Sequence, residues 1–313
     1  MMKAWSLLAE TLMAALLAVP SLAQITPEDE KVPCHNYIDV LALFDRLNYT
    51  QKEWQSGIRE IPRVYLAQVP DTWRDRSAKQ LSVVDKKKLF FRVIAPIILR
   101  INEIILEDRA RVTELTERLA QGQSLKQDDQ AWLTELAVKY KVLKASSERL
   151  DRTAFDELLM RVDVVPPSLA LAQAASESGW GTSRFAAQGN ALFGQWTWGK
   201  GMKPMEQRIS EFGDARVAAF DSTALAAYAY ALNLNTGNAY RELRLKRAEL
   251  RRQNLHISGT VLAPTLLRYS ERGQAYVDDL NRLIRQNKLD AVDDANLRHM
   301  GVIHIVPAGP ASE

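Results

Sequence analysis

Val165-Pro166-Pro167-Ser168-Leu169-Ala170-Leu171-Ala172-Gln173-Ala174-Ala175-Ser176-Glu177-Ser178-Gly179-Trp180-Gly181 is the stretch on which the reading of this chain turns. A residue before proline is pushed out of the helical region, and proline suits the first helical turn, so a helix is expected to start at about Pro167. Gly179 ends it at Ser178 in the manner of a C-terminal glycine. Leu169, Gln173 and Glu177 are four apart and share one face, while Ala170, Ala174 and Ala175 let a neighbouring element approach closely. Glu177 therefore emerges in the last turn beside Gln173. The negative end of a helix disfavours a carboxylate by up to roughly 1 kcal/mol. Trp180, Phe185, Phe193, Trp196 and Trp198 follow closely enough to strip water from it. Both effects raise a carboxyl pKa, and a Glu kept protonated near neutral pH is the device by which glycosidases protonate a leaving-group oxygen.

The segment from Trp180 to Lys203 reads as a functional loop, dense in glycine and in flat aromatic rings of the kind that pack on sugar faces. Beyond it, Arg208–Phe212 and Ala215–Phe220 flank Gly213-Asp214 as a hairpin, the one sheet expected. Asp221 or Ser222 then caps a helix through Leu232, and further helices cover Tyr240–Gln253, Ala263–Tyr269 and Ala275–Gln286. Upstream, apolar residues recur at helical spacing from Tyr37 to about Leu159, as in Phe91, Ile94, Ile97, Ile98, Ile101 and Ile104-Ile105. Gly122 and Ser124 break this region into hairpins of long helices. Residues after Asn287 are expected to be loosely held.

At the N-terminus, one Lys, an apolar run from Leu7 to Val19 and the small residues Pro20-Ser21-Leu22-Ala23 read as a signal peptide cleaved after Ala23. Interrupted by Glu10, the run is shorter than a membrane span of about 20 residues, so no stable membrane insertion is expected after cleavage. The division that follows is a signal peptide at 1–23, a helical N-terminal region at 24–150, a catalytic domain at 151–290 and a tail at 291–313.

Composition closes other doors. The 313 residues are 47% hydrophobic and 25% charged, an ordinary globular balance, and the net charge of +3 comes without the basic runs of a nucleic-acid binder. One cysteine, Cys34, excludes an internal disulfide, and four scattered histidines suggest neither a metal site nor a cofactor. There is no serine elbow, phosphate loop or H-E-x-x-H. Basic residues at Lys86-Lys87-Lys88 and along Arg241–Arg252 fit solvated helix faces better than a polymer-binding patch.

Gln173 to Gly181, with Gly189-Asn190-Ala191-Leu192-Phe193-Gly194 after it, resembles the glucosaminidase domain of glycoside hydrolase family 73. Phe220-Asp221-Ser222 and the region from Asn233 to Tyr240 and Arg244 resemble the Bax-type bacterial proteins of that family, unrelated to the apoptotic protein of that name. The similarity spans about Asp151 to Gln286. It implies a mainly α, lysozyme-like fold with a small β-hairpin, and hydrolysis of the β-1,4 bond after N-acetylglucosamine in peptidoglycan. It places the catalytic acid at Glu177 and, through Tyr269-Ser270 followed by Tyr276, a second site residue at Tyr269. Gln173, Trp180, Asn190, Phe193, Trp196 and Trp198 are the expected substrate-binding set. A second carboxylate is sought on the hairpin, which offers Glu206, Glu211 and Asp214, and alternation allows at most one of Glu206 and Glu211 to face the acid unless a bulge intervenes. A cross-strand pair with Arg216 accounts equally well for Glu211. A muramidase or lytic transglycosylase on the same fold, or a peptidoglycan-binding scaffold without activity, are the rival readings. A periplasmic location is expected, and the sequence indicates no protein partner.

Overall fold

The computed structural model describes residues 26–57, 59–70, 72–144, 150–197, 201–202 and 216–308. The helix that began the sequence reading lies at the centre of the molecule. It is α6, Pro167–Ser178, and Leu169 to Ala175 have no exposed surface at all. A helix apolar or small on every side must be surrounded, and four elements surround it: the long helix α3 (Val83–Ala120), the short helix α10 (Gly259–Leu262), α11 (Gln274–Gln286) and the turn Leu289–Val292. The approach is closest at Gly259, where a Cβ would stand 2.2 Å from Ser168 Oγ and 2.6 Å from the Leu169 nitrogen. Only glycine fits there.

Helix α3 has 38 residues and so extends for about 57 Å at 1.5 Å per residue. Ser82 caps its start, accepting from the Asp85 amide at 3.1 Å. Phe91, Ile94, Ile98, Ile101 and Ile105 recur at three- and four-residue steps, Val112 and Leu115 resume the stripe two turns on, and all are buried. Their stripe packs on α6 and on α8 (Thr223–Thr236), while α4 (Gln127–Lys139) turns back along the far end of α3. There Arg111 stacks 4.1 Å over Trp132 and bonds Asp129 at 2.9 Å. Further helices are α1 (Tyr37–Arg46), α2 (Gln51–Gln55), α5 (Arg152–Arg161), α7 (Arg184–Gly189) and α9 (Arg241–Arg252).

The fold is therefore mainly α, with small sheets, as expected, and Ser222 is the cap of α8. Two expectations are corrected. The region before residue 150 is not all helix: β1 (Glu30–Cys34) and β3 (Val64–Leu66) flank β8 (Ile303–Pro307) in a parallel sheet, and β2 (Glu60–Ile61) pairs with β7 (Asn296–Leu297). The chain beyond Asn287 is not loosely held either, because β8 is the central strand of that sheet, with Ile303 and Ile305 buried. Neither sheet was foreseen because parallel pairing joins segments more than 200 residues apart, and short strands carry no periodicity of their own. Of the expected hairpin, β6 (Arg216–Ala218) is seen pairing antiparallel with β4 (Trp196–Thr197) and β5 (Gly201–Met202). Its turn at Gly213-Asp214 lies outside the described residues.

One apolar core runs through all of this, from Cys34 to Ile305. Burial pushes the Cys34 thiol up to about 11, so it is an inert packed side chain. Polar ties reinforce the joins. Asp163, buried between α5 and α6, accepts from Arg251 Nε at 2.6 Å and Nη2 at 2.5 Å, with Arg109 of α3 and Arg247 of α9 at 3.6 and 3.7 Å. Burial alone would raise its carboxyl, but Arg247, Arg251 and Arg109 outweigh that and hold it below the usual carboxylate range. Arg244 is buried as well, donating to the Leu234 and Gly237 carbonyls. The basic run of α9 is thus not a solvated face throughout: Arg244, Arg247 and Arg251 point inward to hold helices together.

Among the described residues no helix is long and apolar enough to cross a membrane.

Candidate active site

Glu177 ends the buried helix. Gly179 adopts a left-handed φ of 56° and Trp180 one of 62°, so the chain turns sharply away just after the carboxylate emerges. At the opposite end of α6 the Asp293 carboxylate accepts from the Ser168 amide at 2.7 Å and from Ser168 Oγ at 2.6 Å, and from the Gly259 amide at 3.1 Å. Helix α6 is thereby held at both ends. This fixes the position of Glu177 relative to the elements around it.

The carboxylate is half-buried among tyrosines. Tyr230 of α8, Tyr240, Tyr269 and Tyr276 of α11 all lie within its electrostatic reach. Tyr269 and Tyr276 stack at 5.5 Å with ring planes 3° apart, Tyr240 tilts against Tyr269 at 5.8 Å, and Phe193 stacks on Tyr230 at 4.0 Å. Burial pushes the Glu177 carboxyl above its ordinary value, opposed by a hydrogen bond from the Tyr276 hydroxyl and by the Arg272 guanidinium. Gly194 comes close on another side. Its φ is +60°, and a Cβ there would lie 3.1 Å from Glu177 Oε2.

The other residues nominated from sequence take different places. Gln173 is fully buried directly beneath Glu177, hydrogen-bonded to Tyr230 and Tyr276. The Tyr269 hydroxyl donates to the Phe193 carbonyl at 3.0 Å, so Tyr269 joins the loop to the ring cluster, and the Phe193 side chain is core. Asn190 caps α7 with φ 50°, and its amide bridges two segments: Oδ1 accepts from the Val69 amide at 2.8 Å and Nδ2 donates to the Phe220 carbonyl at 2.9 Å. Both ends of that side chain are spent on holding the loop. The Trp180 ring turns away to α3, packing edge-on against Phe90 and Phe91 with Lys87 4.8 Å over its face, and its carbonyl accepts from Trp73 Nε1 at 3.1 Å. Among the described nominated aromatics, Trp196, 40% exposed on β4, is the most open to solvent. Trp198, Glu206 and Glu211 lie outside the described residues.

Among the described residues the rings that lie in reach of Glu177 are tyrosines, while Trp180 packs on α3. Tyr230, Tyr240 and Arg272 were not singled out from sequence. A tyrosine in the alanine-rich run Thr223–Thr236 is the signal that was available, since a phenol placed on a buried helix face needs a partner. Among the described residues no three His, Cys, Asp or Glu side chains cluster as a metal site.

A buried helix that delivers one carboxylate, raised by desolvation, into a ring of hydrogen-bonding phenols is the kind of arrangement found in glycoside hydrolases. Comparison with known proteins agrees. Residues 152–289 match the Glucosaminidase family model, described as mannosyl-glycoprotein endo-beta-N-acetylglucosaminidase. Over 212 residues the chain is 34% identical to Protein bax of Escherichia coli (strain K12), covering 67% of this chain and 73% of that relative. The chain belongs to the Bax-type family, with a glucosaminidase domain of the glycoside hydrolase kind. No solved structure gives a significant match.

Proposed function

We propose that this protein is an exported, periplasmic hydrolase that cleaves the β-1,4 glycosidic bond after N-acetylglucosamine in peptidoglycan, with Glu177 as the general acid. The observation that carries this reading is the environment of Glu177: a carboxyl raised by burial, at the end of a helix tied down at both ends, in a chain of glucosaminidase type. In the reaction the proton on Glu177 passes to the glycosidic oxygen as the bond to the anomeric carbon breaks, and the new carboxylate is met by the Tyr276 hydroxyl and by Arg272. Trp196 is the aromatic platform for a sugar ring, while Gln173, Tyr269 and Asn190 hold the acid and its loop in place. Export follows from the leader at residues 1–23.

The test is mass spectrometry of fragments released from purified peptidoglycan by the mature protein, with Glu177→Gln run beside it. Fragments ending in reducing N-acetylglucosamine, absent with the variant, support the reading. Anhydro-muramyl ends would move the activity to a lytic transglycosylase. No release by either protein, with binding retained, would make it a scaffold. The anomer first formed, read by NMR, reports the second half of the mechanism. Inversion requires a base about 6.5 to 9.5 Å from the acid and retention a nucleophile at about 5 to 5.5 Å, or the substrate's own acetamido group in the nucleophile's place.

A further inference from the structure

The charge of this chain is unevenly placed. Residues 71–88 carry six basic side chains against three acidic ones, a surplus of +3 that equals the net charge of the whole chain, so the rest is balanced. Arg74, Arg76 and Lys79 stand exposed in and just after the turn Trp73–Ser77, and Lys86, Lys87 and Lys88 follow in the first turns of α3. Arg74 and Lys79 share the Asp75 carboxylate at 3.8 and 3.9 Å, whereas among the described residues no carboxylate pairs with the three consecutive lysines. Large apolar side chains are exposed beside these cations: Val83 is 62% and Val84 56% open to solvent at the start of α3, and Ile38 of α1 is 59% open.

The same segments wall a cavity. Tyr37 and Val40 of α1, Trp73, and Leu89, Phe90 and Val93 of α3 form much of its lining, which is mostly apolar. Lys86 lies three and four residues before Leu89 and Phe90, so it sits one turn nearer the start of α3 on the face that lines the cavity. A solvated helix face accounts for the lysines, but not for an apolar slot opening between them and α1. At about 70 Å³ the slot is too small for a helix and suits the end of a thin hydrocarbon chain. A slot of this kind, edged by unpaired cations and bare apolar side chains, is complementary to an anionic headgroup carried on such a chain.

We propose that this face docks on a bilayer containing anionic phospholipid, with lipid phosphates among Arg74, Arg76, Lys86 and Lys88, with Ile38, Val83 and Val84 in the headgroup layer, and with the end of one acyl chain in the slot. The docking is peripheral, since no helix among the described residues is long and apolar enough to cross a membrane. Gly181 forms part of the inner wall, and Trp73 Nε1 donates to the Trp180 carbonyl at 3.1 Å. A chain in the slot therefore rests against the turn that follows Glu177, and the docked protein holds its candidate active site near the lipid surface.

The test is flotation of the mature protein with vesicles of phosphatidylcholine, alone or mixed with phosphatidylglycerol, at low and high salt. Binding is expected to the mixed vesicles only and to weaken with salt. Lys86→Ala with Lys88→Ala should weaken it about 25-fold, at about fivefold per lysine near the surface. Val83→Ser with Val84→Ser should weaken it too, through lost apolar contact rather than lost charge. Entry of the chain is read with phospholipid brominated on its acyl chains, which should quench tryptophan fluorescence, less so in Trp73→Phe and in Val40→Phe, where the ring plugs the slot. Should Val40→Phe fail to fold, Trp73→Phe still decides. Equal binding to neutral vesicles, no binding at low salt, binding unmoved by the lysine pair, or quenching unchanged in Trp73→Phe overturns the proposal. Self-association abolished by the valine pair, without vesicle binding, would give this face to a second copy of the chain. Vesicle binding is read without glycan and without Glu177, so failure of the proposed function and failure of this inference are told apart.

Discussion

Gly194→Ala puts a single methyl group against the candidate acid, and its effect can be worked from the coordinates. The φ of +60° at this position costs an alanine roughly 1 to 2 kcal/mol relative to glycine. The new Cβ would lie 3.1 Å from Glu177 Oε2, so the carboxylate must retreat by a few tenths of an ångström. For a chain of this size about 1.5 kcal/mol lowers Tm by roughly 2 to 3 °C, measurable by calorimetry. The methyl also removes water from the carboxylate and moves it off line, which is expected to cut the rate of glycan release at least about tenfold, because small misplacements of a reacting group are expensive. Gly122→Ala is the matched comparison. Its φ is +75° and no atom lies within 4 Å of the added Cβ, so it carries the backbone cost without the contact. Both variants should lose similar stability and only Gly194→Ala should lose activity beyond that. Equal initial rates for the two variants, assayed well below either Tm, would refute the placement of Gly194 against the acid.

Three further outcomes are expected. Asp163→Asn leaves Arg109, Arg247 and Arg251 without their counter-charge and should cost about 3 to 5 kcal/mol in denaturant unfolding, the scale for breaking a buried ion pair. Because the Asp163 carboxyl is held below its unfolded value, its contribution is present above about pH 4 and is lost as pH falls through the folded pKa, so Asp163→Asn should flatten the acid side of the stability profile. Asp293 carries the opposite sign: burial pushes it up to about 6 against the Ser168 and Gly259 hydrogen bonds, so its ionisation costs stability as pH rises from about 4 to 6. Asp293→Asn should remove that slope from a plot of Tm against pH while loosening the start of α6, and an unchanged slope would show that this carboxylate is not the group titrating. Gly259→Ala should lower Tm more than either αL variant, since the Cβ meets Ser168 Oγ and the Leu169 backbone rather than open space or a flexible side-chain tip.

Local chemistry determined a good deal by itself. The prolines before α6 and the glycine after it marked its ends, Asp221 and Ser222 bracketed the start of α8, and the four-residue spacing placed Gln173 beneath Glu177. These features depend on φ limits, caps and helical periodicity, which act within a few residues and so can be read along a chain. What surrounds α6 could not be read in this way. The parallel sheet around β8 and the arginines around Asp163 join segments far apart in sequence, and the pairing of a two- to five-residue strand is chosen by what else is buried beside it. The same is true of the ring around Glu177. Tyr230, Tyr269 and Tyr276 come from separate helices and turns, and they meet only because the shape of the core brings them together. The sequence could nominate a carboxylate, but its desolvation and its hydrogen-bond donor are properties of the space it occupies, and tertiary packing alone decided that space.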